Sequence, residues 1–152
     1  MEIDIGINNL AGIAINEKLV KEAAATVIFG EAGNLPAGRD IEVSIAFIGP
    51  GEIREINKKY RKKDQATDVL SFAEDDCCDY NGADHPRFLG ELAICAEVVK
   101  SDAVESGKKY EEELAWVVIH GILHLFGYDH ETSKKDADSM RQKEKFYLSQ
   151  IK

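Results

Sequence analysis

A chain of 152 residues that is 44% hydrophobic is long enough for one domain, residues 1–152, burying about two-thirds of the surface its unfolded form exposes. Twenty-eight acidic against nineteen basic residues give a net charge of −9, which excludes indiscriminate binding to nucleic acid and makes local charge the question. Three cysteines, with Cys77 and Cys78 adjacent, exclude a disulfide framework, and no signal peptide or membrane-spanning apolar run is read, so the expected setting is a reducing cytoplasm with no membrane partner.

Ile3, Ile5 and Ile7 alternate as in a strand, and Asn16 opens a helical stretch through Leu19, Ala23, Val27 and Ile28 to Gly30. Residues 33–38 read as a loop. Val43, Ile45 and Phe47 alternate again, Pro50-Gly51 punctuates, and Ile53, Ile56 and Tyr60 recur at helical spacing. Residues 67–72 and 88–95 read as two further strands separated by an acidic loop over 74–87. Three helices follow, over 96–106, 110–126 and 133–150, the last capped by Ser133. The sum is an α+β domain in which one small mixed sheet of about four strands is covered by helices, with the helix over 110–126 in the core.

That helix carries the most informative residues. His120 and His124 lie four apart, so on a helix they offer two imidazole nitrogens from one face. Gly127 supplies a left-handed residue that ends the helix at little steric cost, and the chain turns through Tyr128-Asp129 to bring back His130. Three neutral imidazoles suit one zinc ion per chain with its fourth position open, as in a catalytic site. If these were ordinary core histidines among Leu114, Val117, Val118, Ile119, Ile122 and Leu123, their unmet hydrogen bonds would cost on the order of a few kcal/mol, which a bound metal removes.

A second concentration of chemistry is the stretch Arg54, Lys58, Lys59, Arg61, Lys62 and Lys63, six of the nineteen basic residues. On a helix Arg54, Lys58 and Arg61 share a face opposite the apolar one, which gives an acidic protein one basic stripe able to steer a polyanion to one place. Arg61 stands apart because its planar fork can hold a phosphate in two bonds. Arg54, Lys58, Lys62 and Lys63 are the residues expected to bind such a polyanion, and Arg61 and His124 those expected to act on it.

The run His-Gly-x-Leu-His-Leu-x-Gly-Tyr-Asp-His at 120–130, the pattern from Asn57 through Tyr60-Arg61 and Lys63-Asp64 to Thr67-Asp68-Val69-Leu70-Ser71-Phe72, and Gly90-Glu91-Leu92-Ala93-Ile94 together closely resemble the bacterial YbeY family over most of residues 43–130. The resemblance implies an α+β fold with the metal helix central and a zinc-dependent, single-strand-specific endoribonuclease acting in rRNA maturation, notably at the 3′ end of 16S rRNA, and in ribosome quality control. It implies metal ligation by His120, His124 and His130 and a functional role for Arg61, with single-stranded RNA, rRNA, ribosomal particles and ribosomal or assembly proteins as partners. Ala73 stands where the family commonly has proline and Glu91 where it commonly has aspartate, and no role transfers to residues 74–87.

The spacing of His120, His124, Gly127 and His130 also matches metzincin proteases, but Gly121 occupies the position of their glutamate base. A neutral three-histidine site keeps the full charge of zinc, which favours a phosphodiester over an amide. Proton removal then falls to metal-activated water, to Asp129 or Glu131, or to the 2′-hydroxyl of RNA, with Asp129 and Glu131 equally suited to orienting a histidine through its other nitrogen. Two rival readings remain: a metallohydrolase acting on a peptide or small amide, and a ribosome-assembly factor that binds rRNA with weak or partner-dependent cleavage. Cys77, Cys78 and His85, on a loop with Asp75, Asp76, Asp79 and Asp84, read as a solvated segment edging the cleft and not as a second metal site.

Overall fold

The structure, a computed structural model, describes residues 2–32, 40–74, 87–129, 131 and 133–151. The loop expected over 33–38, nearly all of the acidic loop with Cys77, Cys78 and His85, and His130 lie outside the described residues. Among the described residues the order is β1 (Ile3–Asn9), α1 (Glu17–Glu31), β2 (Ile41–Phe47), α2 (Pro50–Arg61), β3 (Val69–Ala73), β4 (Arg87–Ile94), α3 (Ala96–Ser106), α4 (Tyr110–Leu125) and α5 (Lys134–Ser149).

Local chemistry explains the helix ends. Asn16 accepts from the Leu19 N–H and Ser133 from the Asp136 N–H, each satisfying an orphan donor in the first turn. Pro50 is not a break before α2 but its first residue, where a missing N–H costs nothing. α2 stops at Arg61 because Lys62 turns left-handed (φ 59°), its N–H bonding to the Asn57 carbonyl.

The strands form one mixed sheet in the order β1-β2-β4-β3, with β1, β2 and β4 parallel and β3 antiparallel to β4 at the edge. Ile41, Val43, Ile45 and Phe47 of β2 all point to the larger core, as period-two alternation requires, and meet α1, α4 and α5 there. A smaller core on the opposite face joins Ile53 of α2 to Leu70, Ala93 and Cys95. α4 is apolar nearly all round, and Leu114, Val117, Val118, Ile119, Ile122 and Leu123 are fully buried. At about 1.5–3 kcal/mol for each such side chain, this helix is a principal source of stability as well as the carrier of the histidines.

One glycine fixes the sheet beside the site. The β2–β4 register shifts at Val43, which pairs with Gly90 while Glu42 pairs with Phe88, so Leu89 is the extra residue of a bulge. Gly90 has φ +139°, and a Cβ there would meet the Phe72 carbonyl oxygen at 2.2 Å. No other residue fits between β4 and the edge strand at this point.

Candidate active site

The i, i+4 spacing on α4 brings the two histidine Nε2 atoms to 3.1 Å from each other. Their rings meet edge to face at 4.6 Å, and Trp116 stacks on His120 at 5.0 Å. Two nitrogens bound to one zinc at about 2.0–2.1 Å in tetrahedral geometry stand roughly 3.3 Å apart, so the pair is already close to a ligand arrangement. His120 Nδ1 lies 2.8 Å from Glu144 Oε2 on α5. With a carboxylate on one side, Nδ1 carries the proton and donates, which leaves the Nε2 lone pair for an ion.

Glu144 was not among the residues expected to serve the site. It is 6% exposed, and its signal in the sequence is position: with Met140 and Tyr147 it occupies the buried face of α5, where a carboxylate needs a partner. The orienting role assigned to Asp129 or Glu131 is filled for His120 by this residue. Asp129 Oδ1 accepts from the Glu131 backbone N–H at 2.8 Å, and the Glu131 carboxylate accepts from Arg61 Nη2 at 3.3 Å.

The helix ends as its glycine demands. Gly127 has φ +98°, its N–H bonds to the His124 carbonyl at 3.0 Å, and the Tyr128 N–H reaches back to Leu123 at 3.2 Å. These two bonds form a Schellman motif, which directs the chain away from the helix axis directly after the second histidine. The turn is tied down by Tyr128, whose hydroxyl donates to Glu31 at 2.7 Å. Glu31, 2% exposed at the end of α1, also accepts from Lys143 at 3.1 Å and from the Tyr147 hydroxyl, both on α5. Burial raises the Glu31 carboxyl, but the bonds from Tyr147, Tyr128 and Lys143 outweigh it and hold the group below its ordinary value, while Tyr147 is pushed far above its own.

Gly121 has a structural explanation. A Cβ at this position would lie 2.9 Å from a Leu92 methyl and 3.2 Å from Val69, so α4 packs its glycine directly onto the sheet. The Ser71 hydroxyl donates to the Gly121 carbonyl at 3.1 Å and locks the edge strand to the helix. A side chain at 121 would enter the core and not the cleft, so no carboxylate base fits there.

The histidines open into a cleft of about 710 Å³ that runs along β3 and is lined also by Asp129, Glu131, Tyr60, Arg61 and Lys63. Asn57 sets the end of α2. It is buried, its carbonyl accepts the Lys62 and Lys63 N–H groups, and its Nδ2 donates to the Gln65 carbonyl at 2.8 Å. The expected basic stripe is therefore divided. Arg61 and Lys63 line the same cleft as the histidines, whereas Arg54 bonds to Asp64 at 2.7 Å, and Lys58 and Lys62 are exposed without lining the cleft. Lys58 and Arg54 lie one and two helical turns before Arg61, and Lys62 is its immediate neighbour at the left-handed end of α2. Among the described residues no group of three or more His, Cys, Asp or Glu side chains is arranged to hold a metal, and the third ligand expected from the sequence, His130, is not described.

Residues 7–152 match the family model described as Endoribonuclease YbeY. A protein of that name from Staphylococcus carnosus is 47% identical over 110 residues, 72% of this chain and 71% of the relative. One from Staphylococcus aureus is 43% identical over 102 residues, covering 65% and 66%. The solution structure of TM1509 from Thermotoga maritima superposes with a TM-score of 0.62 at 33% identity, covering 98% of this chain and 88% of that one. A central histidine helix over a mixed sheet, and a family match spanning nearly the whole sequence, make this chain a member of the YbeY endoribonuclease family.

Proposed function

We propose that the protein is a metal-dependent endoribonuclease that hydrolyses phosphodiester bonds of single-stranded RNA, with one zinc held by His120, His124 and His130. In the cytoplasm it acts in rRNA processing, including 3′-end maturation of 16S rRNA, and in ribosome quality control on ribosomal particles and their assembly proteins. The observation that supports this reading best is the convergence of two imidazole Nε2 atoms at 3.1 Å in a cleft that Arg61 and Lys63 also line. Zinc fits the donor set: the ring nitrogens are soft enough for it, and the Glu144 partner selects the tautomer that coordinates. When bound, zinc supplies a Lewis acid for a phosphate oxygen and an acidified water.

The remaining work belongs to the chain. Arg61 grips the non-bridging oxygens of the scissile phosphate and stabilises charge that grows on them. Glu131 holds the guanidinium in the cleft, and a phosphate, which the fork matches as well as it does a carboxylate, takes its place when RNA binds. Lys63 adds positive charge to the same cleft. Asp129 and Glu131 are the carboxylates within the cleft that can take a proton, the alternative being attack by the RNA 2′-hydroxyl.

The test is cleavage of single-stranded and duplex RNA by wild type and His124→Ala, purified in parallel to control for contaminating nucleases. Loss of single-strand cleavage in the variant supports the reading, and equal residual cleavage in both preparations refutes it. A 2′-O-methyl substrate separates the base from the internal nucleophile, since only attack by an external water survives the block. RNA binding without cleavage would favour the assembly-factor reading. A peptidase reading has one feature in its favour, because β3 is a sheet edge lining the cleft and an extended peptide pairs with such an edge. Hydrolysis of a peptide library, with RNA untouched, would establish it.

A further inference from the structure

Tyr60 belongs to the motif next to Arg61, yet the chemistry above gives it nothing to do. It is 61% exposed, so its ring is open to solvent at the mouth of the cleft. Its ring meets Phe72 edge to face with centroids 5.5 Å apart and planes at 71°. These two rings line the histidine cleft on one side and, on the other, a second hollow of about 610 Å³ whose remaining walls are Glu55, Ile56, Lys59 and Glu91. They therefore form a ridge shared by two hollows, one holding the histidines with Arg61 and Lys63, the other holding Glu55 and Glu91 with Lys59. Glu91 pairs directly with Phe72 across β3 and β4, so both side chains stand on one face of the sheet. Lys59 Nζ lies 5.2 Å from the Tyr60 ring centroid.

We infer that the Tyr60–Phe72 ridge stacks a base of the bound strand and that the hollow behind it receives that base through an exocyclic amino group. This rests on the RNA reading of the neighbouring cleft. The second hollow sets two carboxylates against the single Lys59, whereas the histidine cleft, although it also holds Asp68, Asp129 and Glu131, has in Arg61 the two-pronged fork a phosphate needs, with Lys63 beside it. An unpaired base next to a phosphate bound there extends over the aromatic rings, where any base stacks. Ionised carboxylates only accept hydrogen bonds. Cytosine, adenine and guanine each carry an exocyclic amino group that can donate two hydrogens to Glu55 or Glu91, whereas uracil has a carbonyl oxygen at the position of cytosine's amino group and only its ring N3–H to donate. In a duplex that amino group is paired and the base is stacked within the helix, so the same device discriminates against double strands.

The test is equilibrium binding of dye-labelled hexamers of cytidine and of uridine to the full chain, by fluorescence anisotropy, with circular dichroism to verify each variant's fold. Wild type is expected to bind the cytidine hexamer at least about fivefold more tightly. Tyr60→Ala should weaken cytidine binding about tenfold, and Tyr60→Phe, which keeps the ring, should restore it. The double variant Glu55→Gln/Glu91→Gln should bind both hexamers alike, because an amide donates as well as accepts. Equal affinity of wild type for the two hexamers, or identical behaviour of Tyr60→Ala and Tyr60→Phe, overturns the inference. The nuclease reading fails separately: base preference without hydrolysis keeps the ridge and removes the enzyme, whereas hydrolysis indifferent to Tyr60→Ala does the reverse.

Discussion

Removing the carboxylate behind His120 should weaken zinc binding without touching a ligand. Glu144 Oε2 sits 2.8 Å from His120 Nδ1 and is almost wholly buried, so nothing in the solvent replaces it when the side chain is cut back. Loss of such a partner lowers metal affinity by about 10–100-fold, or about 1.4–2.7 kcal/mol. Glu144→Ala should fall near the upper end, because the ring is freed to rotate and to adopt the tautomer that does not coordinate. Glu144→Gln keeps an acceptor but loses the charge, and should fall near the lower end. Zinc affinity is read by competition with a chromophoric chelator, which needs no activity. A urea titration of the zinc-free forms isolates the cost of emptying the site, about 1–3 kcal/mol for an unpaired buried group. If Glu144→Ala binds zinc within about threefold of wild type while His120→Ala loses it, the carboxylate does not orient the ligand and the reasoning fails.

Gly121→Glu tests whether the missing protease base is a chemical choice or a packing necessity. Its side chain must displace Leu92 and Val69, so the variant should lose at least about 3 kcal/mol of stability in urea and gain no peptidase activity; a stable, active peptidase would overturn the packing account. Arg61→Lys keeps the charge but not the fork, so single-strand cleavage should drop about 100-fold with zinc content and melting temperature unchanged; undiminished cleavage would make Arg61 a surface residue. Burial and the neighbouring Asp102 and Asp68 push the Glu113 carboxyl above its ordinary 4.5 against the pull of Lys108, and one of its oxygens is buried with no partner among the described residues. The folded form thus holds this proton more tightly than the unfolded, so the group's contribution is full below pH 4.5 and is lost as pH rises through the folded value. Glu113→Gln should therefore be more stable than wild type at pH 7 and lose that advantage below pH 4.5, as urea midpoints across pH will show.

The parts of this protein that depend on neighbours along the chain could be read from the sequence. His120 and His124 converge because four residues make one helical turn, Gly127 ends that helix because it alone turns left-handed cheaply, and Asn16 and Ser133 cap because their oxygens reach the next turn. Alternation in β2 likewise fixed which of its side chains face the larger core. What the tertiary structure alone decided is how distant segments meet. Glu144 reaches His120 across 24 residues, Arg61 and Glu131 face each other across 70, and Arg54 is drawn away to Asp64 although helical spacing put it on the same stripe as Arg61. Gly121 reads from sequence as a lost base and from structure as the contact that lets α4 lie on the sheet. Periodicity is a local property of the backbone and is written residue by residue, whereas the pairing of faces depends on strand order and on which side of the sheet each helix covers. Those follow from close packing of the whole chain, and no single segment carries them.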